Sequence, residues 1–168
     1  MGDQMNGFLR LMWVPLVAIA CGQPAPPAAA TLAAEADSLR AWATGVEAAF
    51  ERFEGCGGGD AARAFYAKEG ALFTTDSATM VLAGDAMTTI FQSMACTYRE
   101  TSFKLDSVIV RPIVPGVGMV AATYLETMTD TANVRSRLRG SVTWLVQRTD
   151  SGWKATSASV TEHRSRVK

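Results

Sequence analysis

From Asp37 onward apolar residues recur at three- and four-residue steps, at Leu39, Trp42, Val46, Ala49, Phe50 and Phe53, the spacing of one face of an amphipathic helix. Gly55 ends that helix. Gly57, Gly58 and Gly59 predict a flexible turn, and Asp60 is placed to cap a short second helix carrying Phe65 and Tyr66. Residues 71–75 and 78–82 read as a small hairpin around Asp76 and Ser77, and after Gly84 a third helix presents Met87, Ile90, Phe91, Met94 and Ala95 on one face. The period then changes. Residues 99–111, 117–129, 134–148 and 153–163 are long segments rich in Val, Thr, Ile and aromatics, separated by turn-making residues around Pro115, Asp130 and Gly152. The predicted fold class is α+β: three N-terminal helices and a small hairpin packed on a strongly curved four-stranded antiparallel sheet.

Composition narrows the picture without naming a ligand. The 168 residues are 48% hydrophobic, enough for one domain with a workable core. Sixteen basic residues balance sixteen acidic ones, which argues against nucleic acid as a partner, because a phosphate backbone selects clustered, unmatched Lys and Arg. Arg135, Arg137 and Arg139 alternate along one strand and read as a solvated face. One histidine, His163, sits among charges near the C-terminus. No metal-ligand cluster is readable, and no cofactor motif.

Ahead of the domain, Leu11 to Ala20 is an apolar run behind Arg10, matching the central region of a secretory signal and too short to cross a bilayer. It ends Ala18-Ile19-Ala20-Cys21, which resembles the bacterial lipobox, although Ala18 stands where Leu is favoured. The resemblance implies lipidation at Cys21 and a membrane association through the lipid alone. Gly22 after the cysteine favours the outer membrane, facing the periplasm, in a cell that has one. Met5 serves as an alternative start to Met1. The expected organisation is a leader over 1–20, lipidated Cys21 with a Pro/Ala-rich tether over 21–36, a domain over 37–164 and a tail over 165–168. Cys56 and Cys96 then remain in an oxidising compartment, as a disulfide or as two buried thiols.

Several motifs in order resemble the nuclear transport factor two-like superfamily, and within it the SnoaL-like and ketosteroid-isomerase-like domains. They are Gly59-Asp60 opening a helix that ends Phe65-Tyr66-Ala67, Gly84 before the third helix, and Thr143-Trp144-Leu145-Val146 leading through Asp150-Ser151-Gly152 to Trp153-Lys154. The resemblance covers residues 37–163 and implies a cone with an apolar cavity between bent sheet and helices. It also implies a catalytic carboxylate downstream of Tyr66, where this chain has Thr74-Thr75, and a histidine on the last strand, where it has Ser159 and Thr161. Both positions are chemically vacant.

Strand alternation places Trp153, Ala155, Ser157, Ser159 and Thr161 on one face, and Arg139, Ser141, Thr143 and Leu145 on one face of the preceding strand. With Trp153 inward, as the resemblance implies, the expected lining is Tyr66, Phe73, Phe91, Tyr124, Thr143, Trp153, Ser157, Ser159 and Thr161. Three functions stay open. The first, preferred on the vacant base positions, is binding of a small hydrophobic molecule or an envelope protein without catalysis. The second is an isomerase, dehydratase or cyclase with Tyr66 or Tyr124 as acid and Asp76 or Glu126 as base, which requires a buried carboxylate beside a phenol. Glu126 reads equally as a cross-strand ion pair with Arg139. The third is a homodimeric interaction scaffold.

Overall fold

The computed structural model describes residues 28–51, 53 and 56–166. The leader, Cys21 and the first part of the tether lie outside them. Three helices, α1 (Ala28–Phe50), α2 (Gly58–Phe65) and α3 (Gly84–Cys96), accompany six strands: β1 (Ala71–Thr74), β2 (Thr79–Leu82), β3 (Tyr98–Val114), β4 (Val117–Asp130), β5 (Arg135–Thr149) and β6 (Gly152–Arg166).

Helix α1 begins at Ala28 rather than Asp37, so the later part of the expected tether is helical. Alanine is the strongest helix former, and tertiary contacts hold the segment: Glu35 is buried and its Oε1 accepts the Gly116 backbone N–H at 3.0 Å. The predicted stripe buries Leu39, Trp42 and Val46. Lower on the same helix, Glu47 accepts the Leu105 backbone N–H at 2.8 Å, beside a register irregularity between Leu105 and Val108. A helix carboxylate thus satisfies a donor near the place where the sheet ladder is interrupted.

The glycine run behaves differently from expectation. Gly58 and Gly59 are buried inside α2, and a Cβ at Gly58 would stand 2.3 Å from the Phe91 carbonyl oxygen. The run is a close contact of α2 on α3, not a flexible turn. Asp60 makes no cap hydrogen bond; it lies in the first turn and pairs with Arg63. Cys56 and Cys96 are joined by a disulfide across 40 residues. Closing a loop of that size restricts the unfolded chain by about 4 kcal/mol in the chain-entropy account.

The sheet has six strands in the order β2-β1-β6-β5-β4-β3, a correction to the expected four-stranded antiparallel sheet. The hairpin joins the sheet instead of packing on it, because β1 pairs in parallel with β6 through Leu72↔Ser157, Phe73↔Ala158 and Thr74↔Ser159. Without it the long β6 would present a bare row of donors and acceptors.

A second correction concerns side-chain direction on β6. Leu145 pairs with Ser157, but Val146 pairs with Ala155, leaving Thr156 as an extra residue at a bulge. One added residue exchanges the two faces beyond it. Trp153 and Ala155 therefore point inward, and after the bulge the buried position is Ala158, while Ser159 and Thr161 are exposed. On β5 the inward residues are Leu138, Val142, Trp144 and Val146, so Arg139, Ser141, Thr143 and Leu145 share the outer face.

Candidate functional site

The inner face of the sheet is built in transverse rows. One runs Val120, Trp144, Ala158, Phe73; a second Leu105, Tyr124, Gly140, Glu162; a third Phe103, Glu126, Leu138, Arg164. Moving along the sheet from the first row to the third, the chemistry passes from wholly apolar to charged.

Between these rows and the helices lies a cavity of about 160 Å³. Phe50, Phe53, Phe91 and Met94 line it from the helical side, and Tyr98 and Phe103 from β3. Tyr66 and Trp144 line it too, buried and joined by a hydrogen bond from Trp144 Nε1 to the Tyr66 hydroxyl at 3.3 Å. Burial pushes the Tyr66 phenol up to about 12, against the opposing effect of that hydrogen bond.

The charged end contains Tyr124, Glu126, Glu162 and Arg164. The Tyr124 ring crosses Gly140, where a Cβ would stand 2.7 Å from the phenol oxygen, and its hydroxyl donates to Glu162 Oε1 at 2.8 Å. Only glycine leaves that path open. Burial raises the Tyr124 phenol above its ordinary value, and the hydrogen bond to Glu162 and the charges of Glu162, Glu126 and Asp76 add to the shift. Glu126 is half-buried; burial foremost, then the neighbouring Glu162, pushes its carboxyl up to about 7, with Arg164 pulling the other way. At neutral pH it is close to half protonated, able to take or release a proton, while Tyr124 stays a hydrogen-bond donor.

The expected lining residues separate into three groups. Tyr66, Phe91 and Tyr124 line the cavity. Phe73 is buried behind it, its ring 5.0 Å from Tyr66 and 5.8 Å from Phe91. Trp153 is buried elsewhere, donating to Ser38 Oγ at 2.9 Å with the Arg148 guanidinium over its ring. Ser157 is half-buried on the far side of the bulge, and Thr143, Ser159 and Thr161 are exposed on the outer face, so the expected ring of hydroxyls is not in the cavity. Among the weak catalytic candidates, Asp76 is exposed in its turn, where Oδ2 accepts the Glu162 backbone N–H at 3.2 Å. Glu126 does not face Arg139: its cross-strand partner on β5 is Leu138, and Arg139 is opposite Leu125. Glu162 and Arg164 were missed, because alternation counted without the bulge turns them outward.

Comparison of the whole chain with solved structures places this architecture. A candidate scytalone dehydratase from Novosphingobium aromaticivorans superposes with a TM-score of 0.69 at 13% identity, over 83% of this chain and 91% of that one. The fold is the nuclear transport factor two-like cone. Hexachlorocyclohexane dehydrochlorinase LinA-type3 from Novosphingobium barchaimii shares the cone at 0.66 and 8% identity, covering 82% and 93%. A ketosteroid isomerase-like protein from Erwinia carotovora atroseptica does so at 0.61 and 17%, covering 76% and 95%. No family model matches the chain, and no curated protein matches it in sequence. Among the described residues, no helix is long and apolar enough to cross a membrane, and no three His, Cys, Asp or Glu side chains are grouped to hold a metal ion.

Proposed function

We propose that the protein is a lipid-anchored envelope protein whose cone binds a small apolar molecule about the size of one six-membered ring. The observation that carries the binding reading is the cavity of about 160 Å³, walled by Phe50, Phe53, Phe91 and Phe103. An apolar cavity of roughly 150 Å³ is known to accept benzene, and larger multi-ring ligands need several hundred Å³. The lipobox-like run ending in Cys21 supports the anchor, and Cys21→Ala is expected to release the chain from the membrane fraction. For the ligand, titration of the full chain with benzyl alcohol is expected to shift the NMR signals of Phe91 and Phe103 with saturation. A flat titration would sink the binding reading.

Glu126 favours a second reading, acid–base catalysis on the same molecule. A carboxyl raised to about 7 beside a phenol that stays protonated is suited to removing a proton from carbon. A dehydratase and a dehydrochlorinase are named among the structural neighbours, and the losses of water and of hydrogen chloride both require such a proton to leave. Incubation of cyclohexanone with the protein in D2O tests this: exchange beside the carbonyl that disappears in Glu126→Gln supports catalysis, and exchange equal to buffer alone opposes it.

A further inference from the structure

We propose that the molecule held in the cone carries a positive charge: a protonated amine on a single apolar ring, with the ring among the phenylalanines and the ammonium between Glu126 and Glu162. The inference rests on the binding reading above and names the chemical class of its ligand.

Charged side chains gather at one end of the cavity, around Glu126. Every element around Glu126 contributes to the balance. β6 brings Glu162 and Arg164, the β1–β2 turn brings Asp76, which holds the Glu162 backbone, β3 brings the neutral Phe103 and Tyr98, β5 brings Leu138, and the helices bring Phe50 and Met94. Two carboxyls therefore line that end against one guanidinium, and Asp76, outside the lining, adds negative charge toward Tyr124. His163 and Arg139 are paired with each other on neighbouring strands, on exposed positions of the outer face, and supply no compensating charge.

Geometry gives the ammonium its partners. Tyr124 already donates to Glu162, so that carboxylate is fixed in place with a second oxygen left to accept. Glu126 lies one transverse row away and two strands across on the same inner face, beside Phe103. Protonated amines combine well with such surroundings, because aromatic faces attract cations and the half-buried Glu126 and the exposed Glu162 can each accept a charge-assisted hydrogen bond. An anionic ligand would meet Arg164 but also both glutamates. A neutral one would leave the charges of Glu126 and Glu162 without a counter-ion; burial first, and then Glu162, raises the Glu126 carboxyl.

Three single-ring probes separate the possibilities: benzylamine, benzyl alcohol and benzoate, titrated into the full chain by NMR at about pH 8 and about pH 5. Benzylamine is expected to bind at least tenfold more tightly than benzyl alcohol at the higher pH. That preference should shrink several-fold at the lower pH, as Glu126 takes up a proton. Glu126→Gln, which keeps the shape of the side chain, is expected to remove most of the preference, and Arg164→Gln to strengthen it. Benzyl alcohol binding as tightly as benzylamine, or benzoate binding more tightly, overturns the inference and leaves the binding reading standing. Failure of all three probes overturns both. A loss of preference in Arg164→Gln equal to that in Glu126→Gln would also overturn it, since only a nonspecific disturbance treats the two charges alike.

Discussion

Tyr66 and Tyr124 are buried to nearly the same extent, 7% and 6% exposed, and both line the cone. They nevertheless do opposite things. Tyr66 accepts a hydrogen bond from Trp144 in surroundings of Phe73 and Phe91, so its hydroxyl closes an apolar wall by satisfying an indole N–H. Tyr124 donates to Glu162 at the charged end, where its hydroxyl organises carboxylates. The difference lies in the partners supplied by neighbouring strands, since the residue type and burial are the same. A phenol's role in a cavity is therefore read from what stands across the sheet from it.

The most damaging way to break the comparison is Gly140→Ala. The new Cβ would stand 2.4 Å from the Thr161 carbonyl oxygen and 2.7 Å from the Tyr124 ring, and the backbone cannot yield as a flexible side chain would. A loss of about 3 kcal/mol is expected, with Tyr124 displaced from Glu162 and the Tyr66 end unchanged. Denaturant unfolding and the NMR shifts of the two rings check both halves.

Next in size is the pH dependence set by Glu126. Its folded value of about 7 lies above its ordinary value of 4.5, so the native state holds a proton that the unfolded chain gives up. The associated stability is fully present below about 4.5 and is lost as pH rises through about 7. With the group half-buried and screened, the loss is roughly 2 kcal/mol. Glu126→Gln is expected to flatten this part of the profile and to exceed the parent in stability at about pH 8, as measured by urea melts across pH.

Tyr66→Phe comes third. It leaves the Trp144 indole N–H buried without its acceptor, at a cost of about 1.5 kcal/mol, while the titration of Glu126 stays where it was. Tyr124→Phe is the smallest, about 0.5 kcal/mol, because Glu162 is exposed and water replaces the phenol. That substitution is expected to move the Glu126 titration in carboxyl-selective NMR. If the two phenylalanine variants had equal effects on both stability and titration, the distinction between the tyrosines would fall.

Sequence pattern alone determined the order of helices and strands, the hairpin around Asp76 and Ser77, and the burial of Leu39, Trp42, Val46, Met87 and Phe91, because these depend on local period and on side chains large enough to show it. It also brought Tyr66, Phe91 and Tyr124 forward as lining residues. The tertiary structure decided the rest. From Ala155 to Ser159 every side chain is small, so nothing in the pattern marks the extra residue at Thr156, and a slip of one position turned Ser159 and Thr161 inward on paper while hiding Glu162 and Arg164. The parallel pairing of β1 with β6 joins segments more than eighty residues apart, beyond the reach of any local signal. Gly140, a glycine inside a long strand, takes on its meaning only when the ring of Tyr124 is seen lying across it on the way to Glu162.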